Sequence, residues 1–239
     1  MNTIIESAVD VSMLAQRNYD LSRIFPEKDL ETLIYVASHS PSKQNEVHYR
    51  IRVYTDQSTI RKIYECTKRF AVYRPGPLSE LRDGELWQDD AKSVHNSQIL
   101  SNVLFVYEDD EDPARCGEHM LAQQCVGSSY VNKLYVDSKA TSIGVSVGQL
   151  ILSASLLGYK TGVCSAMNDS EVAKVINSSR LPKLLVGIGY GNTDIDRRLH
   201  AETLNKEVFE EGRNGDLNER WRFPSFEPAV KVSINGIDI

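Results

Sequence analysis

Side chains that commonly carry out catalysis form no recognisable set in this sequence. The histidines show no metal-ligand spacing, and we interpret them as surface or partly buried residues: His39, His48, His95, His119 and His200. The patterns typical of serine hydrolases, P-loop nucleotide-binding proteins and zinc proteases are missing. The glycine-rich stretch 187–191 follows the last predicted strand rather than opening a helix, so it does not indicate a dinucleotide loop. An enzyme without its own acid–base residues often leaves the chemistry to a cofactor.

Two further features could take part in chemistry. Cys164 is the last residue of a predicted strand and could act as a nucleophile. No basic residue lies near it in sequence to favour the thiolate, so we interpret it as a small buried residue. The acidic run 108–112 could bind a metal ion, but consecutive carboxylates after a strand are more typical of a solvated turn. We therefore expect no bound metal.

The composition is typical of a soluble globular protein, since 41% of the 239 residues are hydrophobic and 25% are charged. The net charge of −6 argues against nucleic-acid binding, which needs a concentrated basic face. No apolar run reaches the roughly 18 residues that a membrane span needs. The four cysteines have no CxxC spacing and the N-terminus has no secretory pattern, so we expect reduced thiols in the cytoplasm.

The most informative stretch is 141–167. Its apolar residues recur at helical spacing: Ile143, Val147, Leu150, Ile151, Ala154 and Leu157. Gly144 and Gly148 leave a second face open to another helix or a flat ligand. Gly158 ends the predicted helix as a left-handed C-cap glycine does, and 159–164 follows as a short buried strand. A strand that ends in small and polar residues suits a ligand seated on backbone atoms; the alternative is a plain core helix and strand.

The other predicted elements alternate along the chain. Helices are predicted at 4–14, 26–37, 58–67, 116–130 and 170–176, and strands at 49–54, 102–107 and 184–190. We expect Asp56 or Ser58 to cap the helix at 58–67, and Ser170 to cap the helix that it begins. Helices that precede strands at wide intervals favour an α+β fold.

No repeat or low-complexity linker divides the chain, so we predict a single domain over 1–239. Turn signals at 75–77 and 83–84, with Trp87 as a lone large aromatic residue, indicate a loop-rich excursion at 71–97. The C-terminal extension at 200–239 has too few apolar positions for a core of its own. Within it, Val230, Val232 and Ile234 alternate as a strand that needs a sheet edge.

Four short segments follow one another along the chain: Arg17-Asn18-Tyr19, the loop 41–45 (PSKQN), the segment 163–166 (VCSA), and the strand at 184–190 that leads to Arg197-Arg198. In this order they resemble the nitroreductase family of enzymes that bind flavin mononucleotide (FMN). The resemblance covers about residues 13–70 and 98–200. It implies a nitroreductase-like α+β fold, with a small, mostly antiparallel central sheet flanked by helices, and an intertwined homodimer.

The resemblance also implies which residues hold the cofactor: Arg17, Asn18, Tyr19, Arg23, Pro41, Ser42, Lys43, Asn45, Val163, Cys164, Ser165, Ala166, Arg197 and Arg198. The segments 17–19 and 197–198 would hold the phosphate, with Arg23 near the pyrimidine edge. The loop 41–45 would reach the flavin of the partner subunit. The backbone of 163–166 would lie against the flavin ring near N5.

The arginines suit this role because guanidinium groups bind phosphate oxygens bidentately. Arg17, Arg197 and Arg198 come from distant parts of the chain, so their convergence would close the fold around one anion. The alternative is that they are surface salt-bridge arginines and that 41–45 is an ordinary helix-to-strand loop.

The implied activity is an NAD(P)H oxidoreductase, in which NADH or NADPH passes a hydride to flavin N5. A small acceptor such as a nitroaromatic or a quinone then takes the electrons. The family's Q-P-W is replaced by 46–49 (EVHY), which keeps another flavin reaction open: dehydrogenation, dehalogenation or flavin breakdown. The alternative from a different functional class is a binding protein: a dimer that binds the flavin but has no turnover. In either dimer, 200–239 would pack on the partner subunit, whose sheet edge its strand could join.

Overall fold

The computed structural model describes residues 3–42, 47, 49–67, 69–72, 91–109, 128–195, 197, 201, 233–234 and 237–238. In chain order the described elements are α1 (Thr3–Ser12), α2 (Glu27–Ser38), β1 (Tyr49–Tyr54), α3 (Gln57–Glu65), β2 (Arg69–Val72), β3 (Ala91–Val94), a 3₁₀ helix (Ser97–Ile99), β4 (Val103–Asp109), α4 (Ser128–Leu156), β5 (Lys160–Cys164), α5 (Asp169–Val175), β6 (Pro182–Gly189), β7 (Ser233–Ile234) and β8 (Ile237–Asp238). The helix predicted at 116–130 lies mostly outside the described residues.

The chain divides into two units. The first comprises Met1–Arg69 and Ser93–Glu202, and the second comprises Phe70–Lys92 and Thr203–Ile239. β2 and β3 form a two-stranded sheet at the described ends of the predicted excursion. In the second unit, β7 pairs antiparallel with β8, so that Ile234 lies opposite Ile237. The expectation of a single domain over 1–239 stays a prediction.

Four strands of the first unit form an antiparallel sheet in the order β1-β4-β6-β5. β1 alternates as predicted, with Tyr49 buried and Arg50 and Arg52 exposed, because one face of this edge strand packs on the core. β4 and β6 are central strands with both faces covered, so their sequences are nearly continuous apolar runs. With helices on both faces, this sheet confirms the expected α+β fold.

Helix α4 packs on one face of the sheet and contacts both α1 and α2. Much of its predicted apolar stripe is buried there: Ile143, Val147, Leu150 and Ala154. The helix begins at Ser128, well before the predicted start near 141. Leu157 was wrongly placed in the stripe, since it lies beyond the helix and is 41% exposed. Gly158 ends α4 as predicted, with a φ of 89° that favours glycine. None of the described helices combines the length and the apolar character needed to cross a membrane.

Helices α3 and α5 pack on the opposite face of the sheet. The structure shows which of the neighbouring polar residues caps the N-terminus of each helix. Asp56 caps α3, because its carboxylate accepts hydrogen bonds from the amides of Ser58 and Thr59. Asn168, not Ser170, caps α5 and accepts from the Glu171 amide at 3.3 Å. The prediction for Ser170 was wrong because the helix starts one residue earlier, which places the Ser170 hydroxyl 2.9 Å from the Asn168 side-chain oxygen.

β4 continues beyond the predicted 102–107 to Asp109, and this brings Glu108 into the core. Glu108 is fully buried, and its Oε2 accepts a hydrogen bond from Nε of Arg52 at 2.8 Å. The interpretation of 108–112 as a solvated turn was therefore wrong for Glu108, since β1 supplies a cation beside it. The last three residues of that run lie outside the described part of the chain.

Candidate functional site

The segment that carries Arg17 runs along the open edge of the sheet. Ala15 pairs with Thr161 of β5 as a parallel bridge, and the Gln16 amide donates to the Thr161 carbonyl at 2.8 Å. The Arg17 amide donates to the Arg197 carbonyl at 2.9 Å, and Nη1 of Arg197 donates to the Ala15 carbonyl at 3.0 Å. The structure thus brings Arg17 and Arg197 together from distant parts of the chain, and both are partly buried.

Residues 15–25, which we call the N-terminal arm, continue beside the chain that leaves β6. The Asn192 amide donates to the Asn18 carbonyl at 3.2 Å, and the Asp20 amide donates to the Tyr190 carbonyl at 2.8 Å. Asn18 is buried, at 6% exposure. The arm is therefore held by main-chain hydrogen bonds on both sides of Tyr19.

Tyr19 itself points into the fold. It is 8% exposed, and its hydroxyl lies 3.2 Å from the carbonyls of both Gln98 and Gly187. Burial raises the pKa of this phenol well above its ordinary value. Gly187 allows the Gln98 backbone to approach β6, because a β-carbon there would lie 2.3 Å from the Gln98 carbonyl oxygen. The Tyr19 hydroxyl is thus already engaged by the protein's own backbone.

Arg23 lies on the outer side of the arm, where its guanidinium carbon is 3.5 Å from the centroid of the Tyr190 ring. Tyr190 meets Tyr159 edge-on at 5.2 Å, and Tyr159 stacks on Phe25 at 4.3 Å. The Tyr159 hydroxyl donates to the Asp29 carboxylate at 2.5 Å. Burial, and then this hydrogen bond, raise the pKa of Tyr159. This aromatic cluster anchors the end of the arm and leaves Arg23 exposed at its rim.

The segment 163–166 lies where β5 ends. Val163 is half-buried, and Cys164 is buried with its thiol 3.6 Å from the Ala166 carbonyl. Ser165 and Ala166 are exposed, and the Ser165 carbonyl accepts from the Met167 amide at 3.2 Å. The position of Cys164 agrees with its interpretation as a small buried residue.

The loop that begins at Pro41 is described only in part. Pro41 is exposed and Ser42 is half-buried, and the Ser42 hydroxyl accepts from the Val47 amide at 3.0 Å. Val47 has a φ of 36°, a conformation that β-branched residues rarely adopt. Lys43 and Asn45 of this loop, and also Arg198, lie outside the described residues.

Sequence reasoning missed two parts of this region. Gly162 of β5 lets the arm approach, because a β-carbon there would lie 2.7 Å from the Gln16 carbonyl oxygen. A glycine inside a predicted strand was the available signal. Asn102 hydrogen-bonds to the arm. The only sign of this in the sequence was that Asn102 is a polar residue directly before an apolar strand. Among the described side chains, no group of three or more His, Cys, Asp or Glu could hold a metal ion.

Solved structures with this fold come from several bacteria. A Staphylococcus epidermidis protein assigned as an NAD(P)H:FMN oxidoreductase is 16% identical, with a TM-score of 0.54 and coverage of 85% of this chain and 95% of its own. An Exiguobacterium sibiricum protein, assigned as a nitroreductase and solved in complex with FMN, is 15% identical, with a TM-score of 0.55 and coverage of 82% and 92%. CLA-ER, an enone reductase of gut-bacterial fatty acid saturation metabolism, is 12% identical, with a TM-score of 0.54 and coverage of 85% and 95%. No curated protein sequence matches this chain significantly.

The sequence model of one protein family extends over most of the chain. It is the model of the nitroreductase family, and it matches residues 15–192. The matched range includes the N-terminal arm, the four-stranded sheet and the whole of α4. The chain therefore belongs to the nitroreductase family.

Proposed function

We propose that this protein is an FMN-dependent oxidoreductase that uses NADH or NADPH to reduce a small nitroaromatic or quinone-type acceptor. Membership of the nitroreductase family supports an oxidoreductase. The observation that carries the proposal is the meeting of Arg17 and Arg197 at the edge of the sheet, joined by a 2.9 Å main-chain hydrogen bond. The fold neighbour from Exiguobacterium sibiricum, solved in complex with FMN, adds to this support.

The residues present at this edge fit FMN. Arg17 and Arg197 would bind the phosphate, since guanidinium groups match its oxygens in pairs, and Arg198 follows directly in sequence. Asn18 and Tyr19 would contribute backbone, because both side chains are buried. When bound, FMN would supply the two-electron chemistry, accepting a hydride from the nicotinamide and giving it to the acceptor.

The flavin ring would lie near the exposed end of β5. There the exposed residues Ser165 and Ala166 would present main-chain atoms to the ring, with Val163 and Cys164 of β5 directly before them. Backbone N–H groups that face a reduced flavin would stabilise its negative charge. Arg23 would add a cation near the pyrimidine edge, and Pro41, Ser42, Lys43 and Asn45 would reach the flavin bound to the partner subunit.

A homodimer is part of the proposal. The three helices α1, α2 and α4 expose large apolar side chains in the single chain: Ile4, Ile5, Ile34, Tyr35 and Val145. Since α1 and α2 both contact α4, these side chains belong to one packed group of helices. Exposed apolar groups of this kind mark protein interfaces. The extension 200–239 would pack on the partner subunit.

The test begins with the absorption spectrum of the protein as purified, before any flavin is added. We expect a bound flavin that is released on denaturation and identified as FMN by chromatography. A chromophore that proves to be FAD, or no bound flavin even after reconstitution with excess FMN, would contradict the proposed cofactor.

Turnover separates the possible reactions. The loaded protein is mixed with NADH or NADPH and with quinones, nitroaromatics and an α,β-unsaturated ketone, since the neighbour CLA-ER is an enone reductase. Reduction of quinones or nitroaromatics supports the proposal. Reduction of the enone alone indicates another flavin reaction. A bound flavin that neither nicotinamide reduces indicates a binding protein.

A further inference from the structure

Asn102 lies at the start of β4 and faces the N-terminal arm. It is 5% exposed. Its Nδ2 donates to the carbonyls of Asp20 and Arg23 at 3.0 and 2.9 Å, and its Oδ1 accepts from the Tyr190 amide at 3.1 Å. These partners determine the orientation of the carboxamide, because carbonyls only accept and amides only donate.

The same hydrogen bonds close a ring between three segments. The Asp20 amide donates to the Tyr190 carbonyl at 2.8 Å, so Asp20, Tyr190 and Asn102 are each bonded to the other two. On the outside, the guanidinium of Arg23 covers the Tyr190 ring. Gly189 leaves the space for the carboxamide, since a β-carbon there would lie 2.0 Å from Oδ1 of Asn102. Both the arm and the end of β6 are thus shaped around this side chain.

We propose that Asn102 is a positioning residue for the cofactor. It fastens the arm, which carries Arg17, to the chain that leads from Tyr190 to Arg197, and so sets the spacing of the two guanidinium groups. The inference rests on the proposed function, because it deepens the role of that phosphate site. Only a carboxamide supplies two donors and an acceptor from so short a side chain. A main-chain group that loses its hydrogen-bond partner away from water destabilises the fold. Without the Asn102 side chain, the arm would therefore shift or loosen.

The first test is Asn102→Asp, whose carboxylate would face two carbonyl oxygens. At about pH 8 we expect the dissociation constant for FMN, relative to that of the parent, to rise about tenfold or more. As the pH falls toward about 5.5, a buried carboxyl in this place takes up a proton and regains one donor. The ratio of variant to parent dissociation constants, measured by flavin fluorescence, should therefore fall. Using the ratio cancels the titration of the FMN phosphate itself.

The matched control is Asn96→Asp, in the same segment and equally buried. The Asn96 side chain accepts from the Gln98 amide at 3.2 Å as a helix cap, a role that aspartate fills equally well. We expect its ratio to stay near one at every pH. A ratio for Asn102→Asp that stays within about twofold of the parent, or that does not change with pH, would overturn the proposal.

A second variant keeps the test decisive if Asn102→Asp does not fold. Amide hydrogen exchange is followed in flavin-free Asn102→Ser and in the flavin-free parent. Faster exchange in peptide 17–25, with peptide 103–109 unchanged, supports the proposal, whereas equal protection of 17–25 overturns it. This measurement needs no cofactor. A parent protein that binds no FMN would therefore refute the proposed function, while the exchange data would still test the role of Asn102.

Discussion

Arg197 is both a structural residue and a candidate binding residue. Arg197 donates to the Ala15 carbonyl through Nη1 and accepts from the Arg17 amide through its own carbonyl. Arg197 thus holds the arm at the sheet edge by hydrogen bonds and also places a positive charge beside the candidate phosphate site. A substitution of Arg197 would disturb both roles, so Arg17 is the better probe of the phosphate site.

We predict that Arg17→Ala weakens FMN binding about tenfold or more, because a charge-assisted hydrogen bond contributes roughly 1.5–3 kcal/mol. Fluorescence titration of FMN measures the effect, and thermal unfolding of the flavin-free protein checks the fold. Arg61→Ala is the matched control, since Arg61 is an exposed arginine on α3. Equal FMN affinity in Arg17→Ala and Arg61→Ala would place the phosphate elsewhere.

Glu108 and Arg52 give a prediction about stability alone. Arg52→Ala would leave the buried Glu108 carboxylate without its hydrogen-bonded cation, and we expect a loss of about 1–3 kcal/mol in the free energy of unfolding, since the Arg52 side chain is 42% exposed and the pair is partly screened by water. The double variant Arg52→Leu with Glu108→Leu removes both charges and should lose less. Denaturant unfolding measures both. A double variant less stable than Arg52→Ala would show that the ion pair is not the cause.

Among the secondary structure elements, the arm completes the sheet. β5 is an edge strand, and Ala15 and Gln16 pair with its Thr161. Exposed strand edges invite unwanted pairing, and a covering segment prevents it. The candidate phosphate site therefore lies on the segment that covers the sheet edge. The positions of its residues depend on the register in which the arm pairs with β5.

The N-cap of α5 gives a prediction about the free energy of unfolding. Asn168→Ala should lower the free energy of unfolding by about 1 kcal/mol, because it removes the acceptor for the Glu171 amide. Ser170→Ala should cost less than about 0.5 kcal/mol, since Ser170 is exposed and does not cap the helix. Denaturant unfolding of the two variants compares them, and the reverse order would restore Ser170 as the cap.

At the scale of the whole molecule, one face of α4 is not covered by the described residues. A β-carbon added at Gly144 or Gly148 would meet no described atom within 4 Å, and both residues are exposed. Their exposure leaves room for another element at this face, and the expectation that one approaches here stays a prediction. In the proposed dimer that element would come from the second subunit.

We predict that Gly148→Trp leaves the single chain folded but disrupts the dimer and its flavin binding, because the indole occupies space that the partner needs. Light scattering measures the mass, and absorbance measures the retained flavin. Lys62→Trp, at an exposed position of α3 on the opposite face of the sheet, is the control and should change neither. A Gly148→Trp protein that remains a flavin-loaded dimer would exclude this face as the interface.

The sequence by itself determined the elements whose signals are local. The alternation of β1, the buried stripe of α4 and its end at Gly158 were all predicted, because each depends on periodicity or on one residue's backbone preference. The order of four short segments was enough to indicate the family, which the family model over residues 15–192 confirms.

Only the tertiary structure decided which distant groups meet. The burial of Glu108 depends on Arg52 of a neighbouring strand, and the Arg17–Arg197 contact depends on how the arm pairs with β5. Asn102 acts on main-chain groups of Asp20, Arg23 and Tyr190, which no side-chain pattern encodes. Hydrophobic periodicity records which face is buried, whereas the partner of a buried polar group is set by strand order and register.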